Sequence, residues 1–275
     1  MSKQIKRIDK ESVYKFKNIK QQFKNINDEF CVMAGPCAVE NEEMLDIIAN
    51  KLSKLGIKFL RGGTYKHRTS PYSFQGLGLE GVKILSKISK KYKMLSVSEV
   101  LDIRCVEKMI EYIDILQVGS RNMYNFDLLK EIGKTKHPVL LKRGMSATIE
   151  EFKCAAEYIA CEGNEKIIMC ERGIRTFEKE TRNTLDISCV SILKRETKIP
   201  VIVDLSHSLG RKDIVIDIAK AVVALGADGV MVEVHCAPER SLSDKEQQLN
   251  LKEFERLIRE INKQIEISKQ VREQR

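Results

Sequence analysis

The chain contains no tryptophan, and only 6% of its 275 residues are aromatic. Without aromatics set along a basic stripe there is no stacking platform for nucleic acid, even though the formal charge is +9. That excess is local. Residues 1–24 carry eight Lys or Arg against Asp9 and Glu11, which supplies +6 of the +9 and leaves the remainder nearly balanced. No nucleic-acid partner is expected. No apolar run approaches the roughly 18 residues of a membrane helix, and the N-terminal MSKQIKRIDKESVYKFK lacks the apolar stretch of a signal peptide. No membrane partner is expected either. The eight cysteines (Cys31, Cys37, Cys105, Cys154, Cys161, Cys170, Cys189, Cys236) include no C-x-x-C pair. In a chain of this length they read as reduced thiols of a soluble, cytoplasmic protein. A glycine-rich phosphate fingerprint is also missing: after the first predicted strand the chain reads GPCAVE. That argues against an open doubly wound sheet.

What is present is a 43% apolar, 32% charged composition able to bury a large core. Eight short apolar runs bounded by turn residues read as buried strands: 31–35, 58–62, 94–100, 114–120, 138–144, 166–173, 200–207 and 229–235. Segments with helical spacing separate them, among them 44–56, 148–163 and 213–227. Eight alternations of strand and helix require parallel strands joined by crossovers, and this number closes a sheet into a barrel. The expected fold is therefore α/β, a single (β/α)8 TIM barrel with a short N-terminal extension. Residues 1–30 are read as a basic extension able to form a hairpin across the barrel bottom, 31–265 as the catalytic barrel and 266–275 as a frayed tail. Thirty residues are too few to bury a core of their own, so no strong feedback inhibition by an aromatic amino acid is expected.

Catalytic groups of such barrels sit at the C-terminal ends of the strands. Strand 1 leads to Cys37, strand 7 to His207, strand 8 to Glu233, and the loop beyond to Asp244. Each alone is commonly a core or capping residue. Strands 7, 8 and 1 are neighbours in a closed barrel, however, so a thiol, an imidazole and two carboxylates fall around one point. That mixed donor set suits one divalent metal ion, Mn, Fe, Co or Zn rather than Mg. His235 is a second-choice lining residue, since alternation turns it the same way as Glu233.

The other strand ends carry cations: Arg61, then Lys66 and Arg68 after strand 2, Arg121 after strand 4, Lys142 and Arg143 on strand 5, and Arg172 on strand 6. Like charges crowded over one barrel mouth repel unless anions offset them. Small phosphorylated or carboxylated substrates are the natural partners, and guanidinium groups suit bidentate contact with either.

Taken in order, GPCAVE (35–40), FLRGGTYKHRTSPYSFQGLG (59–78), LLKRGM (140–145), DLSHS (204–208), VEVH (232–235) and LSDKEQQL (242–249) resemble type I 3-deoxy-7-phosphoheptulonate (DAHP) synthases. The resemblance covers about residues 30–260, and it is to the branch near the 3-deoxy-manno-octulosonate-8-phosphate synthases. It implies a metal-dependent transferase that condenses phosphoenolpyruvate with erythrose 4-phosphate and water, the first step of the shikimate pathway. By the same resemblance Cys37, His207, Glu233 and Asp244 match metal ligands. Arg61, Lys66, Arg121, Lys142 and Arg172 match phosphoenolpyruvate contacts, and Arg68 and Thr69, with Ser70 beside them, the loop that holds the aldose phosphate. Lys66 is the candidate general acid, with His207 as the other group able to move a proton. A homo-oligomer, dimer or tetramer, is expected. The family loop usually reads K-P-R-T, whereas here it is Lys66-His67-Arg68-Thr69, and losing the proline frees one backbone φ.

The alternative is the octulosonate synthase itself, which takes arabinose 5-phosphate. Its strand-2 loop typically reads K-A-N-R-S, so this chain's loop favours the four-carbon sugar. Two other readings are a Schiff-base aldolase built on Lys142 and an RNA-binding barrel using the basic N-terminus.

Overall fold

The structure is a computed structural model that describes residues 30–273 apart from 67, 69 and 198. Eight parallel strands close in sequence order into a barrel. They are β1 (Cys31–Gly35), β2 (Phe59–Arg61), β3 (Leu95–Val100), β4 (Ile115–Val118), β5 (Val139–Lys142), β6 (Ile167–Glu171), β7 (Val201–Asp204) and β8 (Gly229–Glu233). Closure comes from β1 against β8, with Gly35 opposite Glu233. The helices between them are α1 (Glu42–Lys54), α2 (Leu79–Lys91), α3 (Ile103–Ile110), α4 (Phe126–Thr135), α5 (Ile149–Cys161) and α6 (Ile187–Glu196). A five-residue α7 (Leu205–Leu209) precedes α8 (Val215–Leu225), and α9 (Leu251–Glu273) closes the ring.

Side-chain alternation builds two separate cores. Outward residues such as Leu60, Leu116, Leu141, Val203 and Val232 pack under the helices. Inward residues Met33, Phe59, Val97, Ile115, Leu140, Ile168, Cys170, Ile202 and Met231 fill the barrel. Two residues further along most of these inward series the chemistry changes from apolar to charged. Phe59 is followed by Arg61, Leu140 by Lys142, Cys170 by Arg172, Ile202 by Asp204 and Met231 by Glu233. The apolar layer thus supports a charged layer at the mouth.

Most strands are shorter than their apolar runs predict, because the last residues of each run leave the ladder to reach the mouth. The run 200–207 pairs only to Asp204, whose carboxylate then accepts from His207 N at 2.9 Å and caps α7. His207 therefore sits on a helical turn rather than at a strand end. Asn41 caps α1, and Thr148 with Glu151 forms a capping box on α5. Helix α9 continues to Glu273, past residue 265 where the sequence reading ended the barrel and began a frayed tail. The hairpin reading of residues 1–30 lies, but for Phe30, outside the described residues. Among the described residues no helix is long and apolar enough to cross a membrane.

Candidate active site

Three of the four expected ligands meet directly. One donor atom each from Cys37, Glu233 and Asp244 lie within 4.8 Å of one another. His207 joins through Glu233, with Nε2 3.5 Å from Oε1. Its other ring nitrogen, Nδ1, lies 2.8 Å from Asp204 Oδ2. With Nδ1–H donating to that carboxylate, Nε2 keeps its lone pair on the side of the cluster. Asp204 is thus a node: it caps α7, orients the imidazole and pairs with the Lys142 ammonium.

The charges suit a cation. Burial pushes the Cys37 thiol up to about 12, and the charge on Glu233 adds to the effect. Such a thiol keeps its proton at neutral pH unless a cation displaces it. Burial also holds the His207 imidazole below its usual value, against the pull of Asp204. For Glu233 burial opposes ionisation, but His207, Arg61 and Lys66 outweigh it and keep the carboxyl below its ordinary range. Asp244 likewise overcomes burial through Arg182 and Lys66 and is held well below the carboxylate range. It sits at φ 46°, a left-handed position that aspartate tolerates better than most residues. Two ionised carboxylates, a neutral imidazole nitrogen and a displaceable thiol proton make a fitting donor set for a divalent transition metal.

Beside the cluster opens a cavity of about 430 Å³. Among the described residues seven cations line it (Lys66, Arg68, Arg121, Lys142, Arg172, Arg175, Arg182) against two carboxylates, Glu99 and Asp244. Lys66 bridges the two regions, its Nζ 3.0 Å from both the sulfur and the carbonyl oxygen of Cys37. Glycine permits this approach: a Cβ on Gly63 would lie 2.7 Å from Lys66 Cδ and 2.8 Å from Cys37 O. Burial works against the Lys66 charge, yet the Cys37 thiol and Glu233 hold its pKa above the ordinary lysine value.

The cavity wall includes Lys66, Arg68, Ser70, Arg121, Lys142 and Arg172, together with the candidate ligands His207 and Asp244. Thr69 and His67 lie outside the described residues. Three sequence readings change. Arg61 is set deeper than expected, off the cavity wall, with Nη1 on the Pro36 carbonyl and 3.2 Å from Glu233 Oε1. Its Nε is buried without a hydrogen-bond partner among the described residues. Arg143 alternates away from Lys142 and leaves the site, donating from Nη1 to Glu171 Oε2 at 2.9 Å and to Asp186 Oδ2 at 2.8 Å. His235 does not line the site either: beyond β8 the chain bridges Val234 to Leu249, and the buried imidazole lies 3.8 Å from Glu40 Oε1.

Arg143 is consequently a structural residue. Removing one partner of a buried ion pair leaves the other uncompensated, so Arg143→Met should cost about 3–5 kcal/mol in urea unfolding. A loss below about 1 kcal/mol would show that Glu171 and Asp186 do not depend on it.

Sequence reasoning missed Arg175 and Arg182 on the wall, and Gln247 and Gln248 beside the cluster. The first two follow a strand end, as the recognised cations do, and that position was the available signal. Gln248 Oε1 accepts from Cys37 N at 2.9 Å, and Gln247 Nε2 donates to Glu233 Oε2 at 2.6 Å. Both lie in LSDKEQQL, but nothing in their type marks them as supports.

A parallel (β/α)8 barrel with a metal-type donor cluster on one side of its mouth and a cationic cavity on the other defines a metal-dependent enzyme of small, multiply anionic substrates. Within that class the chain belongs to the DAHP synthetase I family, whose model matches residues 13–270. A phospho-2-dehydro-3-deoxyheptonate aldolase of Thermotoga maritima is 55% identical over 237 residues, covering 86% of this chain and 70% of that protein. A crystal structure of the Thermotoga maritima phospho-2-dehydro-3-deoxyheptonate aldolase (DAHP synthase) matches with a TM-score of 0.84 at 54% identity, over 86% of this chain and 69% of that one. A truncated form of the 3-deoxy-D-arabino-heptulosonate 7-phosphate synthase of the same organism matches at TM-score 0.80 and 51% identity, over 86% and 87%. A 2-dehydro-3-deoxyphosphooctonate aldolase of Syntrophotalea carbinolica is 30% identical over 253 residues, 86% of this chain and 90% of that protein.

Proposed function

We propose that the chain condenses phosphoenolpyruvate with erythrose 4-phosphate and water to give 3-deoxy-D-arabino-heptulosonate 7-phosphate and phosphate, opening the shikimate pathway. The observation that carries this reading is the cationic cavity that borders the Cys37, Glu233, Asp244 cluster through Asp244 and Lys66. Family membership supplies the substrates.

A divalent ion, Mn, Fe, Co or Zn, held by Cys37, His207, Glu233 and Asp244 would supply Lewis-acid polarisation of a carbonyl. The chain's own groups do the rest. Arg121, Lys142 and Arg172 take the carboxylate and phosphate of phosphoenolpyruvate, and Arg61 one layer below steadies Glu233 while keeping one donor spare. By the family resemblance Arg68, Thr69 and Ser70 hold the aldose phosphate; the Arg68 guanidinium, 3.6 Å from Asp244 Oδ1, exchanges that carboxylate for the phosphate when the sugar binds. Carbon–carbon bond formation joins the enol carbon to the aldehyde carbon, and Lys66 gives a proton to the oxygen that becomes a hydroxyl. Water then adds to the carbon bearing the phosphate, and inorganic phosphate leaves.

With the aldehyde held at the metal cluster, the position at which Arg68 and its neighbours take the phosphate sets the sugar length that fits. One extra carbon shifts the phosphate by roughly 1.3 Å, and a misplacement of about 1 Å can cost on the order of 100-fold in rate. Measured kcat/KM should therefore favour erythrose 4-phosphate over arabinose 5-phosphate by about two orders of magnitude. Equal efficiency, or faster turnover of the pentose, would assign the chain to the octulosonate synthases instead.

A further inference from the structure

A carboxylate that ligates a metal has to be held in one rotamer, and the group that holds it sets the geometry of the site. Glu233 Oε1 lies 3.2 Å from Arg61 Nη1 and 3.5 Å from His207 Nε2. Its other oxygen, Oε2, accepts from Gln247 Nε2 at 2.6 Å. Gln247 is itself buried, and its Oε1 accepts from Arg182 Nη1 at 2.6 Å.

The order of this chain is chemically forced. A guanidinium only donates, so the amide oxygen must face Arg182 and the amide nitrogen must face the carboxylate. A flipped amide would set donor against donor and acceptor against acceptor. Arg182 has a fixed base of its own. Its N–H donates to Leu209 O at 2.9 Å, Asn183 N–H donates to Ser208 O at 2.9 Å, and Asn183 Nδ2 donates to His207 O at 2.8 Å. The fit is close: a Cβ on Gly210, at φ +67°, would lie 2.5 Å from Arg182 Cβ. The loop after β6 is thereby seated on α7, the helix that carries His207.

We propose that Arg182 and Gln247 are positioning residues of the metal centre, the guanidinium locking the Gln247 amide so that Glu233 Oε2 stays occupied and Oε1 stays on the His207 side. The proposal rests on the reading of Cys37, His207, Glu233 and Asp244 as the ligand set. It differs in sign from simple electrostatics. Arg182 Nη1 is also 3.4 Å from Asp244 Oδ2, so as a mere nearby cation it would oppose a bound dication, and its removal would tighten metal binding. As a lock, its removal loosens a ligand, and loss of such supporting partners typically weakens metal affinity about 10–100-fold.

The test is a cobalt(II) titration of the full chain, followed by the thiolate-to-cobalt absorption in the near ultraviolet and checked with Cys37→Ser, which should abolish that band. Arg182→Met and Gln247→Met are each expected to weaken cobalt binding by about 10–100-fold, with thermal melts of the metal-free proteins little changed. The double variant should bind no more than about threefold more weakly than Gln247→Met alone, because the two act as one unit. Unchanged or tighter cobalt binding by Arg182→Met overturns the proposal. Should Gln247→Met fail to fold, the partly exposed Arg182 decides alone. A wild-type protein without the Cys37-dependent band would sink the ligand set itself and the positioning role with it. A wild-type band unaffected by Arg182→Met sinks only the positioning role.

Discussion

Cys37→Ser and His207→Ala should each lower kcat/KM for the condensation by more than about 100-fold, since even outer partners of metal ligands typically cost 10–100-fold. Cys37 is the sharper case. It is fully buried, packed against Lys66 and within 3.4 Å of Asp244, so serine would keep the shape but exchange a soft donor for a hard, weakly acidic one. Cys154→Ser and Cys161→Ser provide the contrast, because both thiols are exposed on α5. They should be silent within about twofold, in line with surface substitutions generally. Steady-state kinetics with elemental analysis of the same preparations check this. A Cys37→Ser enzyme of full activity and normal metal content would remove the thiol from the ligand set.

Lys66→Ala should lower kcat by on the order of 10²–10⁴, the usual contribution of a positioned proton donor. The ammonium is half-buried at the junction of cavity and cluster, where the Cys37 thiol and Glu233 favour its charge. A bound dication would counter those neighbours and make the proton easier to give. Small primary amines added to Lys66→Ala should restore part of the rate, with efficiency that follows their basicity. A loss confined to KM for phosphoenolpyruvate would leave Lys66 as an anion clamp and pass the proton transfer to another group, with His207 the nearest candidate.

The fold was legible because each strand announced itself as a short apolar run, and eight alternations leave few ways to close a sheet. The clustering of Cys37, Glu233 and Asp244 was legible because they fall at or beyond the ends of adjacent strands. What stayed hidden depended on which of two neighbouring residues turns inward. Lys142 and Arg143 look equivalent in LLKRG, but one continues the inward series from Leu140 and the other meets Glu171 and Asp186 under the loops. His235 was misplaced for a related reason: alternation holds only while the strand lasts, and β8 ends at Glu233. Asp204 stood within the DLSHS motif, but its triple role needed the spacing to Lys142 across the barrel. The amides of Gln247 and Gln248 carry no charge or motif of their own, so their part in holding Glu233 and Cys37 emerges only from the packed loop.

The proposed reaction is an aldol-type condensation of phosphoenolpyruvate that the metal cluster and the cationic cavity drive together. Its most direct test is the release of inorganic phosphate from phosphoenolpyruvate, with erythrose 4-phosphate present or absent, before and after exhaustive chelation. The expected result is release that needs the aldose, falls to background in the stripped protein and returns when manganese or cobalt is added back. Undiminished, aldose-dependent release from fully stripped protein would contradict the claim, as would release that proceeds equally without the aldose.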